Sequence, residues 1–91
     1  MSRRLVLLGS TGSIGRSTLE VVEHLGDVQV VGLSARRNVA ALAAQAARFH
    51  PQAVAVEDSD QTRRLQGLLP AGVEVLAGRD GVAALAAHPA A

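Results

Sequence analysis

Gly9, Gly12 and Gly15 recur at intervals of three in Gly9-Ser10-Thr11-Gly12-Ser13-Ile14-Gly15, and two adjacent guanidinium groups follow at Arg36 and Arg37. Both features point to phosphate chemistry. A glycine turn that closes a strand and opens a helix presents free backbone N–H groups and the positive end of the helix dipole to an anion. Each glycine then has a separate reason to be there. Gly9 lets the chain leave the strand sharply, Gly12 removes a Cβ from the phosphate's approach, and Gly15 lets the helix pack closely. The spacing is G-x-x-G-x-x-G, not the commoner G-x-G-x-x-G. An unliganded β-to-α turn shares it, so the flanking elements decide the reading.

Those elements are legible. Leu5-Val6-Leu7-Leu8 reads as the first strand, and a helix follows from Ser13 with Ile14, Thr18, Val21, Val22 and Leu25 as its expected apolar face. Gly26 stops it. Val28–Leu33 reads as a second strand, apolar on both faces as in a covered parallel sheet. Asn38 is a suitable N-cap for a second helix with Val39, Leu42, Ala43, Ala46 and Phe49 on its apolar face, ended by Pro51. Ala53–Val56 is a short third strand, Asp58 and Gln61 have the spacing of a capping box, and Thr62, Leu65, Leu68 and Leu69 mark a third helix. Val73–Leu76 is a fourth strand, and Asp80 is placed to cap a last helix through Val82, Leu85 and Ala86.

The string βαβαβαβα defines the expected fold class: α/β, a Rossmann-like parallel sheet with helices on both faces, corresponding to half of a doubly wound domain. Right-handed crossovers place strands 2, 3 and 4 successively to one side of strand 1, which leaves strand 1 as an edge. On this reading the chain is truncated.

The end of the second strand selects the cofactor. NAD enzymes of this fold carry an acid there for the adenine ribose; here the strand runs into Ser34-Ala35-Arg36-Arg37-Asn38, with no acid. Arginine binds phosphate through paired charge-assisted hydrogen bonds, so the expectation is NADPH, with its 2′-phosphate at Arg36 and Arg37.

Composition narrows the function classes. Of 91 residues, nine are arginine, eight are acidic, none is cysteine and only Phe49 is aromatic. Disulfides and thiolate chemistry are excluded, and a nucleic-acid site with stacking aromatics is not expected. Four apolar residues after Met1-Ser2-Arg3-Arg4 are too few for a signal peptide or membrane span, so a soluble cytoplasmic protein without membrane or nucleic-acid partners is expected. His24, His50 and His88 are scattered near helix C-termini and form no metal motif. Glu57-Asp58-Ser59-Asp60 reads as helix capping. Ser10, Ser13 and Ser17 have no nearby histidine and are expected to hydrogen-bond a phosphate or the turn.

The run Leu8–Gly15, then Ser17–Val22, Val30–Leu33 with Asn38-Val39, Phe49-His50-Pro51 and Glu74–Gly78, resembles the N-terminus of the 1-deoxy-D-xylulose 5-phosphate reductoisomerases across nearly the whole chain. The resemblance implies an NADPH- and divalent-metal-dependent (Mg²⁺ or Mn²⁺) conversion of 1-deoxy-D-xylulose 5-phosphate to 2-C-methyl-D-erythritol 4-phosphate in non-mevalonate isoprenoid synthesis, by a homodimeric parent enzyme. It implies cofactor contacts at Thr11, Gly12, Ser13, Ile14, Arg36, Arg37 and Asn38. Many members have glycine where this chain has Arg36. The family's metal carboxylates, substrate-phosphate ligands and lid lie in a much longer chain, so residues 1–91 are expected to form an incomplete NADPH-binding domain that contributes no catalytic or metal residue. Two other readings stay open at this point: another G-x-x-G-x-x-G reductase such as a semialdehyde dehydrogenase, and a non-catalytic nucleotide-sensing module.

Overall fold

The computed structural model describes residues 3–90; Met1, Ser2 and Ala91, the outermost positions of the expected 1–91 domain, lie outside the described residues. Strands β1 (Arg3–Leu7), β2 (Val28–Ala35), β3 (Ala53–Val56) and β4 (Glu74–Ala77) alternate with helices α1 (Ser13–Leu25), α2 (Val39–Phe49), α3 (Thr62–Leu68) and α4 (Gly78–Ala86). The strands form one sheet in the order β1-β2-β3-β4, and every pairing is parallel. The expected class is therefore the observed one, a Rossmann-like parallel sheet with β1 at its edge.

Helices cover both faces, unequally. Leu19 and Val22 of α1, Leu42 and Ala46 of α2 and Leu65 of α3 share one core with Val54 and Val56 of β3, with Leu5 and Leu7 packed against it. Three successive crossovers in one direction with one hand must put their helices on one face. Helix α4 packs on the other, where Leu85 meets Ala53 and Ala55, and Val6 and Leu76 pack beside them. The alternation along β2 changes phase where Leu5 pairs with Val30 and Val6 with Gly32. This irregularity lets Val28 and Val30, then Leu33 and Ala35, all serve the larger core despite the period of two.

Three expectations need correction. The inward face of α1 is Gly15, Leu19 and Val22; Ile14 is 83% exposed, and Val21 and Leu25 are also exposed. A Cβ on Gly15 would stand 2.6 Å from both the Gly9 carbonyl oxygen and Ser10 Cα, so this glycine must face the turn and the helix is rotated to suit. Ile14, Thr18, Val21 and Leu25 consequently form a second stripe beside the buried one. Asp58 does not cap α3 directly. It caps a 3₁₀ turn, Ser59–Gln61, by accepting from Asp60 N at 3.1 Å, and α3 follows with Leu65 buried but Leu68 exposed. Asp80 lies inside the first turn of α4, which starts at Gly78 with Ala77 at the N-cap, and Ala86 is exposed. Asn38 does cap α2, its Oδ1 accepting from Ala41 N at 3.1 Å.

Candidate functional site

In a parallel sheet the loops that follow the strands gather at one edge, and here that edge carries the glycine turn after β1, the arginines after β2 and two acids after β3. Gly9 makes the first bend with φ of 68°, a left-handed conformation that favours glycine. The next residues rise to α1 through Gly12, which is the N-cap with φ of −75° and ψ of 173°.

This helix start is chemically unfinished. No side chain caps it, and no acidic residue occupies its first turn. The first bond of the ladder is Arg16 N to Gly12 O at 2.9 Å, so the amides of Ser13, Ile14 and Gly15 precede any intrahelical acceptor. Gly12, Ser13 and Ile14 are exposed around them, and a Cβ on Gly12 would meet only the Gly9 carbonyl oxygen, at 3.6 Å. Unpaired N–H groups, the dipole's positive end and open space together suit an anion. Thr11 is half-buried, and its carbonyl accepts from Arg16 Nε at 2.9 Å, which brings beside the turn a guanidinium that helical periodicity alone does not associate with it.

The turn is held from beneath. Gly9 N donates to Ser34 Oγ at 2.9 Å and Ser10 N to Ser34 O at 2.8 Å, while Ser10 is fully buried. Of the serines expected to bond phosphate or the turn, Ser10 belongs to the turn's support.

Arg36 and Arg37 lie exposed past the end of β2, and each meets an acid from the β3 loop. Arg37 Nε is 3.2 Å from Asp58 Oδ2, and Arg36 Nε is 3.9 Å from Glu57 Oε2. From sequence Glu57 and Asp58 read only as capping residues. What reveals their second contact is adjacency: β2 and β3 pair through Ala35 and Val56, which sets the following loops side by side. Exposed ion pairs contribute about 0–1 kcal/mol, too little to hold a guanidinium against a phosphate. In both pairs the nearest guanidinium atom is Nε, not the Nη groups that also contribute to a phosphate fork. A depression lined by Arg36, Arg37, Glu57 and Asp58 adjoins a groove past Leu8, Gly9, Ser34 and Val82. Thr11, Gly12, Ser13 and Ile14 follow β1, and Arg36, Arg37 and Asn38 follow β2, at the same edge of the sheet. The groove itself runs from Leu8 and Gly9 to Arg36, and Ser13 and Ile14 line a separate depression with Ser17, Thr18 and Val21. Asn38 is also exposed, with its side-chain oxygen already engaged by the α2 cap.

The family model for 1-deoxy-D-xylulose 5-phosphate reductoisomerase matches residues 5–91. The chain belongs to this family. A reductoisomerase of Chlorobium chlorochromatii is 52% identical over 87 residues, which cover 93% of this chain and 23% of that protein. One from Nitratidesulfovibrio vulgaris is 49% identical over 92 residues, 98% of this chain and 22% of the relative. Among solved structures, the Zymomonas mobilis reductoisomerase in complex with NADPH superposes with a TM-score of 0.92 at 37% identity, over 99% of this chain and 24% of that one. A reductoisomerase complex with NADPH, fosmidomycin and magnesium gives a TM-score of 0.84 at 30% identity, over 97% and 22%. The chain therefore spans less than a quarter of the length of these family members.

Among the described residues no group of three or more histidine, cysteine or acidic side chains is arranged to hold a metal, and no helix is long and apolar enough to cross a membrane.

Proposed function

We propose that residues 1–91 are the N-terminal NADPH-binding part of a 1-deoxy-D-xylulose 5-phosphate reductoisomerase. One observation carries the reading: an uncapped, acid-free helix start and a pair of exposed guanidinium groups lie along the same sheet edge. They match the two anionic parts of NADPH, a pyrophosphate and a 2′-phosphate, each opposite a suitable donor set. Thr11, Gly12, Ser13 and Ile14 would border the pyrophosphate end, and Arg36, Arg37 and Asn38 the ribose phosphate. Bound NADPH supplies hydride for the reductive half of converting 1-deoxy-D-xylulose 5-phosphate to 2-C-methyl-D-erythritol 4-phosphate. The described residues bind and orient. They place the backbone amides of α1 toward an anion, and they hold a counter-charge that NADH has no group to meet.

The metal, Mg²⁺ or Mn²⁺, and the phosphosugar belong on this reading to sequence matching the remaining three quarters of the relatives, and so does the second half of the doubly wound sheet. Two surfaces support that division: the open edge of β1, and the exposed stripe of Ile14, Val21 and Leu25 beside it. The family resemblance carries the further expectation of a cytoplasmic homodimer.

The test is titration of the protein as its gene encodes it with NADPH and NADH, followed by turnover of 1-deoxy-D-xylulose 5-phosphate with Mg²⁺ or Mn²⁺. Tighter binding of NADPH and formation of the branched product are expected. Indifference to the 2′-phosphate would overturn the assignment of the arginines, and turnover without reduced dinucleotide would overturn the role of the domain.

A further inference from the structure

Helix α2 reaches across to the glycine turn through one side chain. Gln45 Nε2 donates to the Ser10 carbonyl at 2.8 Å, and Ser10 Oγ lies 2.7 Å from Gln45 Oε1. The amide and the serine thus close a two-bond ring, and the Ser10 hydroxyl, whose other neighbour is Ser34 O at 3.2 Å, has its nearer acceptor in Gln45. On its other side Ser10 is pressed by α1, since a Cβ on Gly15 would come within 2.6 Å of Ser10 Cα. No buried side-chain polar atom among the described residues is left without a partner, so this network is closed.

We propose that Gln45 is a positioning residue for the cofactor: it sets the turn in its binding shape before any ligand arrives. The proposal rests on the reading that the turn faces the pyrophosphate of NADPH. Three elements meet at Ser10. Ser34 from β2 fixes Gly9 and Ser10 through the Ser34 hydroxyl and carbonyl. Gly15 fixes the distance to α1. Gln45 supplies the remaining restraint, and its position in α2 is set independently, because Leu42 and Ala46 on either side are fully buried. A turn held at both its backbone carbonyl and its side chain loses less freedom on binding, which is how preorganisation strengthens a ligand contact. Gln45 does not line the grooves along Leu8, Gly9, Ser34 and the arginines but a separate depression with Arg16 and Phe49, and its hydrogen bonds to the turn are both to Ser10, so its effect passes through Ser10. Because the pyrophosphate is common to both dinucleotides, the effect must be the same for NADPH and NADH.

The experiment uses Gln45→Met in the protein as its gene encodes it, since methionine keeps the side-chain volume and removes both hydrogen bonds. Both dinucleotides are expected to bind about 5- to 50-fold more weakly, by one common factor. KM for the phosphosugar should stay unchanged, and the backbone amides of Ser10 to Ile14 should exchange hydrogen faster. Ser10→Ala combined with Gln45→Met should lose clearly less than the product of the two single losses, because the two side chains share a bond. Gln45→Leu takes the place of Gln45→Met if circular dichroism shows that the latter has not folded. Unchanged affinity for both cofactors in a folded variant, or a loss confined to NADPH, overturns the proposal. If the unsubstituted protein binds neither dinucleotide, the functional reading fails separately, and exchange at Ser10 to Ile14 still decides whether Gln45 holds the turn.

Discussion

Alanine at Gly12 and alanine at Gly15 should have opposite consequences, although the positions are one helical turn apart. At Gly15 a methyl group would lie 2.6 Å from the Gly9 carbonyl oxygen, 2.6 Å from Ser10 Cα and 2.7 Å from Ser10 C, all backbone atoms. The strain cannot be relieved by a rotamer change; the helix must move off the turn. Overpacking of this kind costs about 1–3 kcal/mol, and the better helix propensity of alanine returns at most about 1 kcal/mol. A net loss of about 1–2 kcal/mol corresponds to a fall in Tm of about 5–15 °C for a domain of this size. At Gly12 the same methyl would touch only one oxygen at 3.6 Å, and φ of −75° suits any residue. The lost N-cap preference of about 0.5–1 kcal/mol is offset by a similar reduction in unfolded-chain entropy, so Tm should move by less than about 4 °C. The methyl does, however, project where the pyrophosphate is proposed to lie, and NADPH affinity should fall at least about 10-fold. Thermal melts by circular dichroism and cofactor titration on the same samples separate the two effects. A wild-type melt for Gly15→Ala would refute the close packing of α1 on the turn, and wild-type affinity for folded Gly12→Ala would refute the placement of the phosphates.

Arg37→Glu should weaken NADPH by about 10- to 100-fold while leaving NADH nearly unaffected, since a charge-assisted hydrogen bond contributes about 1.5–3 kcal/mol; parallel titrations check it, and equal losses for both cofactors would count against the assignment. Leu42→Ala, at a fully buried position of α2, should destabilise the fold by about 2–5 kcal/mol in urea unfolding. Val21→Lys and Leu25→Lys, both at exposed positions, should leave stability within about 0.5 kcal/mol. Ile14, Val21 and Leu25 together expose an apolar stripe through which the 91-residue chain should self-associate, so the same pair should lower association in sedimentation experiments, and unchanged association would show that the α1 stripe is not the adhesive surface. Asn38→Ala should cost about 1 kcal/mol through loss of its bond to Ala41 N, measured by the same urea titrations.

Local chemistry made most of the architecture readable in advance. The short apolar runs Leu5–Leu8, Val28–Leu33, Ala53–Val56 and Val73–Leu76, set between turn signals and helical patterns, locate the four strands to within one or two residues, with Leu8 and Val73 falling just outside β1 and β4. Gly26, Asn38 and Pro51 punctuate them by local rules. The order β1-β2-β3-β4 is the simplest for strands that follow one another in sequence, and given that order handedness sets α1, α2 and α3 on one face. The glycine turn and the arginine pair were visible for the same reason, being contiguous in sequence. What tertiary structure alone decided is rotation and adjacency. The hydrophobic period allows two neighbouring stripes on α1, and only the contact of Gly15 with Gly9 and Ser10 selects Leu19 and Val22 as the inward one. Asp58 is 21 residues from Arg37, and Gln45 is 35 from Ser10; each pair meets because the parallel sheet brings loops and helices from successive units to one edge. A single sequence records the donors and acceptors of such pairs but not their distances, which the packing of separate elements creates.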